Sequence, residues 1–326
     1  MVVKNRFNVF YHVLGVCKIK KIGKAILKFN IMAKDLFGNE IIEDVLLRDK
    51  FLEPPFSVLD TRQGSWQNRK RRWIAKGLKS EVGRKENLTH VMPMKSYNSE
   101  NMKEEYYEKG KEVGTSVFDP ALTELMYNWF CPENGLILDP FAGGSVRGIV
   151  ANYLGYKYTG IELRQEQVDS NREQALNILE VNNQPQWYCG DSEKVLSGNW
   201  NTKFDMIFSC PPYADLEVYS DLPEDLSNMD YKDFLIKYRS IINKSLKLLK
   251  PNCFAVFVVG EVRGKDGFYY DFVGDTKRAF IEQGAKFYND AILLNAVGTA
   301  SMRADRIFGS NKKLVKIHQN VLVFKS

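Results

Sequence analysis

Two short segments of this chain carry residue types that can act together chemically. Asp139-Pro140-Phe141-Ala142-Gly143-Gly144-Ser145 follows the apolar run Leu136 to Leu138, and Cys210-Pro211-Pro212-Tyr213 follows the run Phe204 to Ser209. Adjacent glycines let a ligand approach the backbone closely, and a helix starting behind them aims its N-terminus at the loop. In the second segment two prolines hold the backbone extended and out of any helix. Tyr213 can stack on a planar ring taken out of a nucleic acid duplex. The pair suits a nucleotide-like ligand at the glycine loop and a flat, amine-bearing base at the proline turn.

Other acids sharpen the first half of that reading. Glu162 follows Tyr158-Thr159-Gly160-Ile161, and Asp191 follows Trp187-Tyr188. An acid at the end of a second strand can accept hydrogen bonds from ribose hydroxyls. Asp191 can accept from the exocyclic amine of an adenine, or it can simply cap the next helix. The chain lacks a GxGxxG dinucleotide fingerprint and a lysine-bearing phosphate loop, so ATP and GTP are poor ligands for it.

The elements that must position these residues form an alternating series. Pro120 to Phe130, Val146 to Leu154, Arg164 to Leu179 and Tyr231 to Leu249 read as helices, with Pro120 suited to a first turn. Short apolar strands are expected at 136–138, 158–161, 187–188, 204–209 and 253–259. A helix around 276–283 and strands at 291–294 and 321–324 complete the series. Such alternation makes a doubly wound α/β sheet, with ligands at the strand ends. Ahead of it, the chain divides into a basic extension, 1–31, and a mixed region and linker, 32–112, with the catalytic domain at 113–326. In the mixed region, Ile41 to Leu46 suits a short helix, Val58-Leu59 a short element, and 64–84 a loop followed by a helix.

The segments Ile137 to Ser145, Gly160-Ile161-Glu162 and Cys210 to Tyr213 resemble the amino-group DNA methyltransferases, with phage and prophage members the nearest likeness. The resemblance covers 115–326 well and 41–94 with less mechanistic meaning. It implies a Rossmann-like class I S-adenosylmethionine-dependent fold with a mixed seven-stranded sheet. It implies S-adenosylmethionine as cofactor and transfer of its methyl group to N6 of adenine or N4 of cytosine. Phe141 and Gly143, with Pro140 and Ala142 of the same loop, would line the methionine moiety; Glu162 would hold the ribose and Asp191 the adenine. Asp119 and Asp139 are counted with the cofactor site. In the family, the carbonyl at the position of Pro211 and the first side chain of the tetrapeptide accept the hydrogens of the target amine. Pro212 stiffens the turn. Attack is then an in-line displacement helped mainly by orientation.

The first tetrapeptide position in the family is Asp, Asn or Ser, whereas here it is Cys210, and thiol sulfur is a weak acceptor. Three consequences stay open: Cys210 and the Pro211 carbonyl suffice; Cys210 attacks a pyrimidine C6 as a nucleophile; or the protein binds cofactor and nucleic acid without efficient transfer. Ser209 lies on the opposite side of its strand. Glu217, in the loop after Tyr213, can accept from the base edge or orient a water. RNA or another amine as acceptor, and a non-catalytic DNA-binding subunit, are the rival functions.

Charge points to the same partner. The net formal charge is +6, with seven Lys/Arg and no acid in 1–31 and nine against one acid between Arg62 and Lys85. Arg62, Arg69, Lys70, Arg71 and Arg72, interleaved with Trp66 and Trp73, are the candidate contacts to double-stranded DNA; a solvated basic face, with the tryptophans anchoring the region to the core, is the alternative. Arg263 can meet a phosphate or an acid. Arg303, Arg306, Lys312, Lys313 and Lys316 form a second basic cluster. A homodimer would duplicate a small recognition region. Five scattered cysteines and three isolated histidines suit neither a disulfide framework nor a metal site. A reducing bacterial or phage-infected cytoplasm fits, and no apolar run is long enough to span a membrane.

Overall fold

The computed structural model describes residues 47–79, 118–213, 220, 222–264, 266–298 and 300–326. The basic extension 1–31, the short helix expected at 41–46 and Glu217 lie outside them. Chain contacts gather Leu46–Ser326 into one compact unit.

The elements are α1 (Leu47–Phe51), β1 (Val58–Asp60), α2 (Gly64–Ala75), α3 (Pro120–Phe130), β2 (Leu136–Asp139), α4 (Val146–Tyr153), β3 (Lys157–Glu162), α5 (Gln165–Ile178), β4 (Gln186–Cys189), α6 (Ser192–Val195), β5 (Phe204–Ser209), α7 (Tyr231–Leu248), β6 (Leu249–Val259), α8 (Phe272–Ile281), β7 (Lys286–Leu294), α9 (Ala300–Asn311) and β8 (His318–Lys325). The strands form one sheet in the order β1-β7-β8-β6-β5-β2-β3-β4. Strand β8 runs antiparallel to both β6 and β7, and the other pairings are parallel. Seven of the strands, β2 to β8, make the mixed, doubly wound seven-stranded sheet that the sequence leads one to expect. The eighth is an addition to the expected seven. Val58–Asp60 pairs with Ile292–Leu294 and ties the N-terminal region to the sheet edge.

Alternation along the strands explains the two core layers. Met206 and Phe208 of β5, with Val256 and Val258 of β6, face one layer, while Ile207, Ala255 and Phe257 face the other. Both faces are covered, so these strands read as unbroken apolar runs. Helix α7 starts where Asp230 accepts from the N–H of Asp233 at 2.9 Å. It buries Phe234, Tyr238, Ile241, Ile242, Ser245 and Leu248, a helical stripe facing the sheet. Close packing fixes Gly148 of α4, where a Cβ would sit 2.6 Å from the Trp187 ring and 3.0 Å from Tyr158. Gly148→Ala is expected to cost about 1–3 kcal/mol through overpacking, measurable as a lower urea midpoint; an unchanged midpoint would show that the Trp187 ring yields.

Two local expectations change. The region from residue 64 does not open on a loop: the turn is confined to 61–63, and α2 begins at Gly64 itself. Its residues Trp66 and Trp73 lie seven apart on one face and are buried against α3. Residues 300–311 form a helix that the pattern did not announce, because Ala300 alone of its residues is buried.

Candidate functional site

The sheet reverses direction between β2 and β5. From β2 the chain moves outward through β3 and β4, then returns to place β5 on the other side of β2. The loops leaving these two strands therefore part and leave a crevice between them. The cleft there has a volume of about 570 Å³. Phe141 to Gly144, Glu162, Asp191 and Cys210 to Tyr213 all line it. The two segments singled out by their chemistry thus share one cavity.

The glycine loop is braced from three directions. Gly143 has φ of +52°, and a Cβ there would meet nothing within 4 Å, so the space above it is open to a ligand. Its carbonyl accepts from Asn171 at 2.8 Å, and Asn171 accepts from Gln167 at 2.9 Å. The Ala142 N–H donates to the Ile161 carbonyl at 3.0 Å. Pro140 carbonyl accepts from Ser192 at 2.5 Å.

Asp139 stands beneath this loop and does not line the cleft. Its carboxylate accepts from Arg147 Nε at 2.5 Å, Tyr158 OH at 2.7 Å and Ser209 Oγ at 2.5 Å. Arg147 Nη2 also donates to the carbonyls of Phe141 and Ala142. Burial, the largest single influence, would favour a neutral Arg147, but the charge of Asp139, the neighbouring Tyr158 and Cys210, and the hydrogen bond to Asp139 together outweigh it and hold the guanidinium ionised. Asp139 positions the loop through Arg147 and touches no ligand space. The same network explains Ser209: its hydroxyl is committed to Asp139 and to the Phe141 N–H at 3.2 Å.

Glu162 and Asp191 present carboxylates to the cleft from consecutive strand ends. Glu162 Oε1 accepts from the Arg164 N–H at 3.0 Å. Burial pushes its carboxyl above the ordinary glutamate range, opposed by hydrogen bonds from the backbone of Arg164 and Gly143. Asp191 both caps α6, accepting from the Glu193 N–H at 3.0 Å, and pairs with Lys237 at 3.1 Å. Its two sequence readings, cap and ligand acceptor, are compatible in one residue. Asp119 is the N-cap of α3, accepting from Ala121 N–H at 2.8 Å and from Trp66 Nε1 at 3.1 Å. It lines the far side of the same cleft beside Lys70, 3.6 Å away.

On the target side, Cys210 Sγ lies 3.9 Å from the Tyr213 hydroxyl, and Gln319 Nε2 donates to that hydroxyl at 2.5 Å. The Tyr213 ring meets Phe272 edge-on at 6.1 Å. Gln319, Arg147 and Lys237 are the site residues that sequence reading missed. Their side chains come from β8, α4 and α7, and nothing in the local sequence marks them.

The basic run of α2 splits by face. Arg69 pairs with Glu124 at 2.8 Å and Arg62 with Asp60 at 2.7 Å. Trp73 Nε1 donates to the same Glu124 at 3.0 Å. Lys70 turns to the cleft, and Arg71 and Arg72 are exposed. Arg263 donates to the Gly267 carbonyl and stacks on Tyr269 at 3.7 Å.

Residues 26–173 match the family model described as DNA methylase. The match covers less than half of the chain. It takes in the glycine loop and Glu162 but ends before Asp191 and Cys210, whereas the resemblance in sequence rests on 115–326. No curated protein matches the chain. Among solved structures, TrmN from Thermus thermophilus is similar with TM-score 0.44 and 14% identity over 64% of this chain and 48% of its own. A TehB-like SAM-dependent methyltransferase from Corynebacterium glutamicum gives 0.39 and 14% over 68% and 95%, and the magnesium protoporphyrin IX methyltransferase of Synechocystis PCC 6803 gives 0.36 and 11% over 60% and 70%. This chain thus spans about half the length of TrmN. Among the described residues, no helix is long and apolar enough to cross a membrane, and no group of three or more metal-ligating side chains gathers.

Proposed function

We propose that this protein transfers the methyl group of S-adenosylmethionine to an exocyclic amino group of a flipped base in double-stranded DNA, N6 of adenine ahead of N4 of cytosine. The observation that carries the proposal is the single cleft, lined at one end by Phe141 to Gly144 and Glu162 and at the other by Cys210 to Tyr213. The family match over 26–173 supports DNA as the substrate class.

The residues present fit the cofactor. Gly143 leaves the open space that a Cβ would enter, and Glu162 and Asp191 supply acceptors from neighbouring strand ends. Phe141 and Gly143 would hold the methionine moiety, Glu162 the ribose and Asp191 the adenine. When bound, S-adenosylmethionine supplies an electrophilic methyl group. The chain's own work is orientation. Tyr213 stacks on the target base; the Pro211 carbonyl and Cys210 Sγ accept the amine hydrogens, which localises the nitrogen lone pair. Pro212 keeps that carbonyl at a fixed angle. Glu217, four residues after Tyr213 in the sequence, would accept from the base edge. A cytoplasmic setting in a bacterium or phage-infected cell, and a homodimer, complete the proposal.

Glu162 gives it a pH signature. The raised carboxyl protonates at higher pH than an ordinary glutamate, and its neutral form is a poorer acceptor for ribose hydroxyls. Cofactor affinity should therefore fall as pH is lowered from neutral into the acid range. The stability contribution has the opposite sign: a buried carboxyl with a raised folded-state value favours the fold at low pH, an advantage lost as pH rises through that value. Calorimetric titration of S-adenosylmethionine should show Glu162→Gln weaker by roughly 10- to 100-fold at neutral pH. A wild-type profile as flat as that of the variant would remove Glu162 from the ribose.

The deciding experiment uses methyl-labelled S-adenosylmethionine with unmethylated genomic DNA, followed by digestion and separation of nucleosides. Label is expected in N6-methyldeoxyadenosine. Label in N4-methyldeoxycytidine corrects the base alone, and label on a pyrimidine carbon makes Cys210 a nucleophile. In that last case Cys210→Ser abolishes transfer, whereas amine transfer survives it. Cofactor binding without any label would make the chain a non-catalytic DNA-binding relative, or move the acceptor to RNA.

A further inference from the structure

Strands β7 and β8 are antiparallel neighbours, a pair that a tight turn can join. Here the chain instead runs through residues 295–317, including α9, before returning. Both roots of this insertion lie in the cleft: Asn295 and Ala296 line it on the way out, and Gln319 lines it on the way back, bonded to Tyr213. The insertion is cationic, with Arg303, Arg306, Lys312, Lys313 and Lys316 against the single acid Asp305.

These cations are free to bind outward. Arg303 and Arg306, one turn apart on α9, and Lys312 behind it are exposed. Among the described residues none of the three forms an ion pair, in contrast to Arg62 ahead of α2 and Arg69 on it. The turn after β6 approaches the same patch. Lys316 lies 6.0 Å from the Tyr269 ring centroid, Lys313 packs against Gly267, and Phe268 is 74% exposed. Met302 and Leu314 are also exposed. Cations interleaved with exposed apolar and aromatic side chains suit phosphates flanked by sugars and bases.

We infer that the β7–β8 insertion, with the turn around Gly267, grips the phosphate backbone of duplex DNA beside the base held at Tyr213. The inference rests on the reading of the cleft as a DNA methylation site. It places the principal phosphate grip on α9, on the catalytic side of the sheet, and leaves α2 mainly to brace α3. Each guanidinium or ammonium that meets a phosphate releases a counterion, so binding through this patch is steeply salt-dependent.

The test compares the whole chain with the triple variant Arg303→Ala, Arg306→Ala, Lys312→Ala, by fluorescence anisotropy on a labelled duplex across a salt series. A charge-matched control, Lys157→Ala, Lys247→Ala, Lys286→Ala, removes exposed cations from the opposite end of the strands. The α9 variant should lose roughly 0.9 of log–log salt slope per contact, about 2–3 in total, and bind about 10- to 1,000-fold more weakly at physiological salt. Its affinity for S-adenosylmethionine and its melting temperature should stay unchanged. An unchanged slope in the α9 variant, or an equal loss in the control, overturns the inference. The two readings separate cleanly. Wild-type binding with the expected α9 dependence but no methyl transfer keeps the grip and removes the proposed activity. Methyl transfer with no α9 dependence does the reverse, and absence of duplex binding by the wild type removes both.

Discussion

Asp139→Ala should destabilise the protein by about 3–5 kcal/mol, the cost of leaving a buried charge without its partner. Arg147 has 6% side-chain exposure and Asp139 none, so water cannot replace the missing carboxylate. Tyr158 OH and Ser209 Oγ would lose their acceptor at the same time. Arg147 also carries two carbonyls of the glycine loop, so the loop loses its floor as the fold weakens. Urea denaturation should show a lower midpoint at similar slope. Asp139→Asn separates the two effects, because it keeps an acceptor and removes the charge. It should fold better than the alanine variant and still bind S-adenosylmethionine more weakly than the wild type. A loss under about 1 kcal/mol in Asp139→Ala would mean that Arg147 finds another partner, a result expected of a surface pair and not of a buried one.

That network shows where sequence reading reaches and where it stops. The strand ends at Asp139, Glu162 and Ser209 were legible because a buried parallel strand is a short apolar run and its end is a change of composition. The doubly wound order followed from the alternation of such runs with helices. What Asp139 does was not legible. A carboxylate at a strand end looks the same whether it faces a ligand or an arginine eight residues further along the chain, and only the packing of α4 against β3 decides it. Arg147 carried no signal, since a lone cation in a helix reads as a solvated face. In α2 likewise, charge density does not reveal facing. Trp66, Arg69 and Trp73 lie along one face, so the tryptophans take the anchoring one of their two sequence readings, turning inward with Arg69 paired to Glu124. The eighth strand, three residues long, is too short to carry a period. Helix α9 hides for the opposite reason: without a buried stripe it has no amphipathic pattern to read.

Tyr213→Ala should lower kcat/KM for methyl transfer to duplex DNA by roughly 5- to 150-fold, the loss of one base–aromatic stack of about 1–3 kcal/mol. The ring is already held in place. Gln319 fixes the hydroxyl at 2.5 Å and Phe272 supports one edge, so little rotamer freedom remains to be lost when a base arrives. A base turned out of its duplex forfeits stacking on both sides, and under the proposed mechanism the ring would return part of that free energy where the amine must be presented. Tyr213→Phe keeps the ring and loses the hydroxyl with its bond from Gln319 and its contact with Cys210 Sγ, so it should fall less than about 10-fold. Cofactor affinity should be the same in all three proteins, because Glu162 and Asp191 hold the other half of the cleft. If the phenylalanine variant is as impaired as the alanine variant, the hydroxyl and its neighbour Cys210 Sγ matter more than the ring, and the stacking account fails. If both variants act like the wild type, the base does not sit at the Cys210 to Tyr213 turn, and the shared cleft loses its target side.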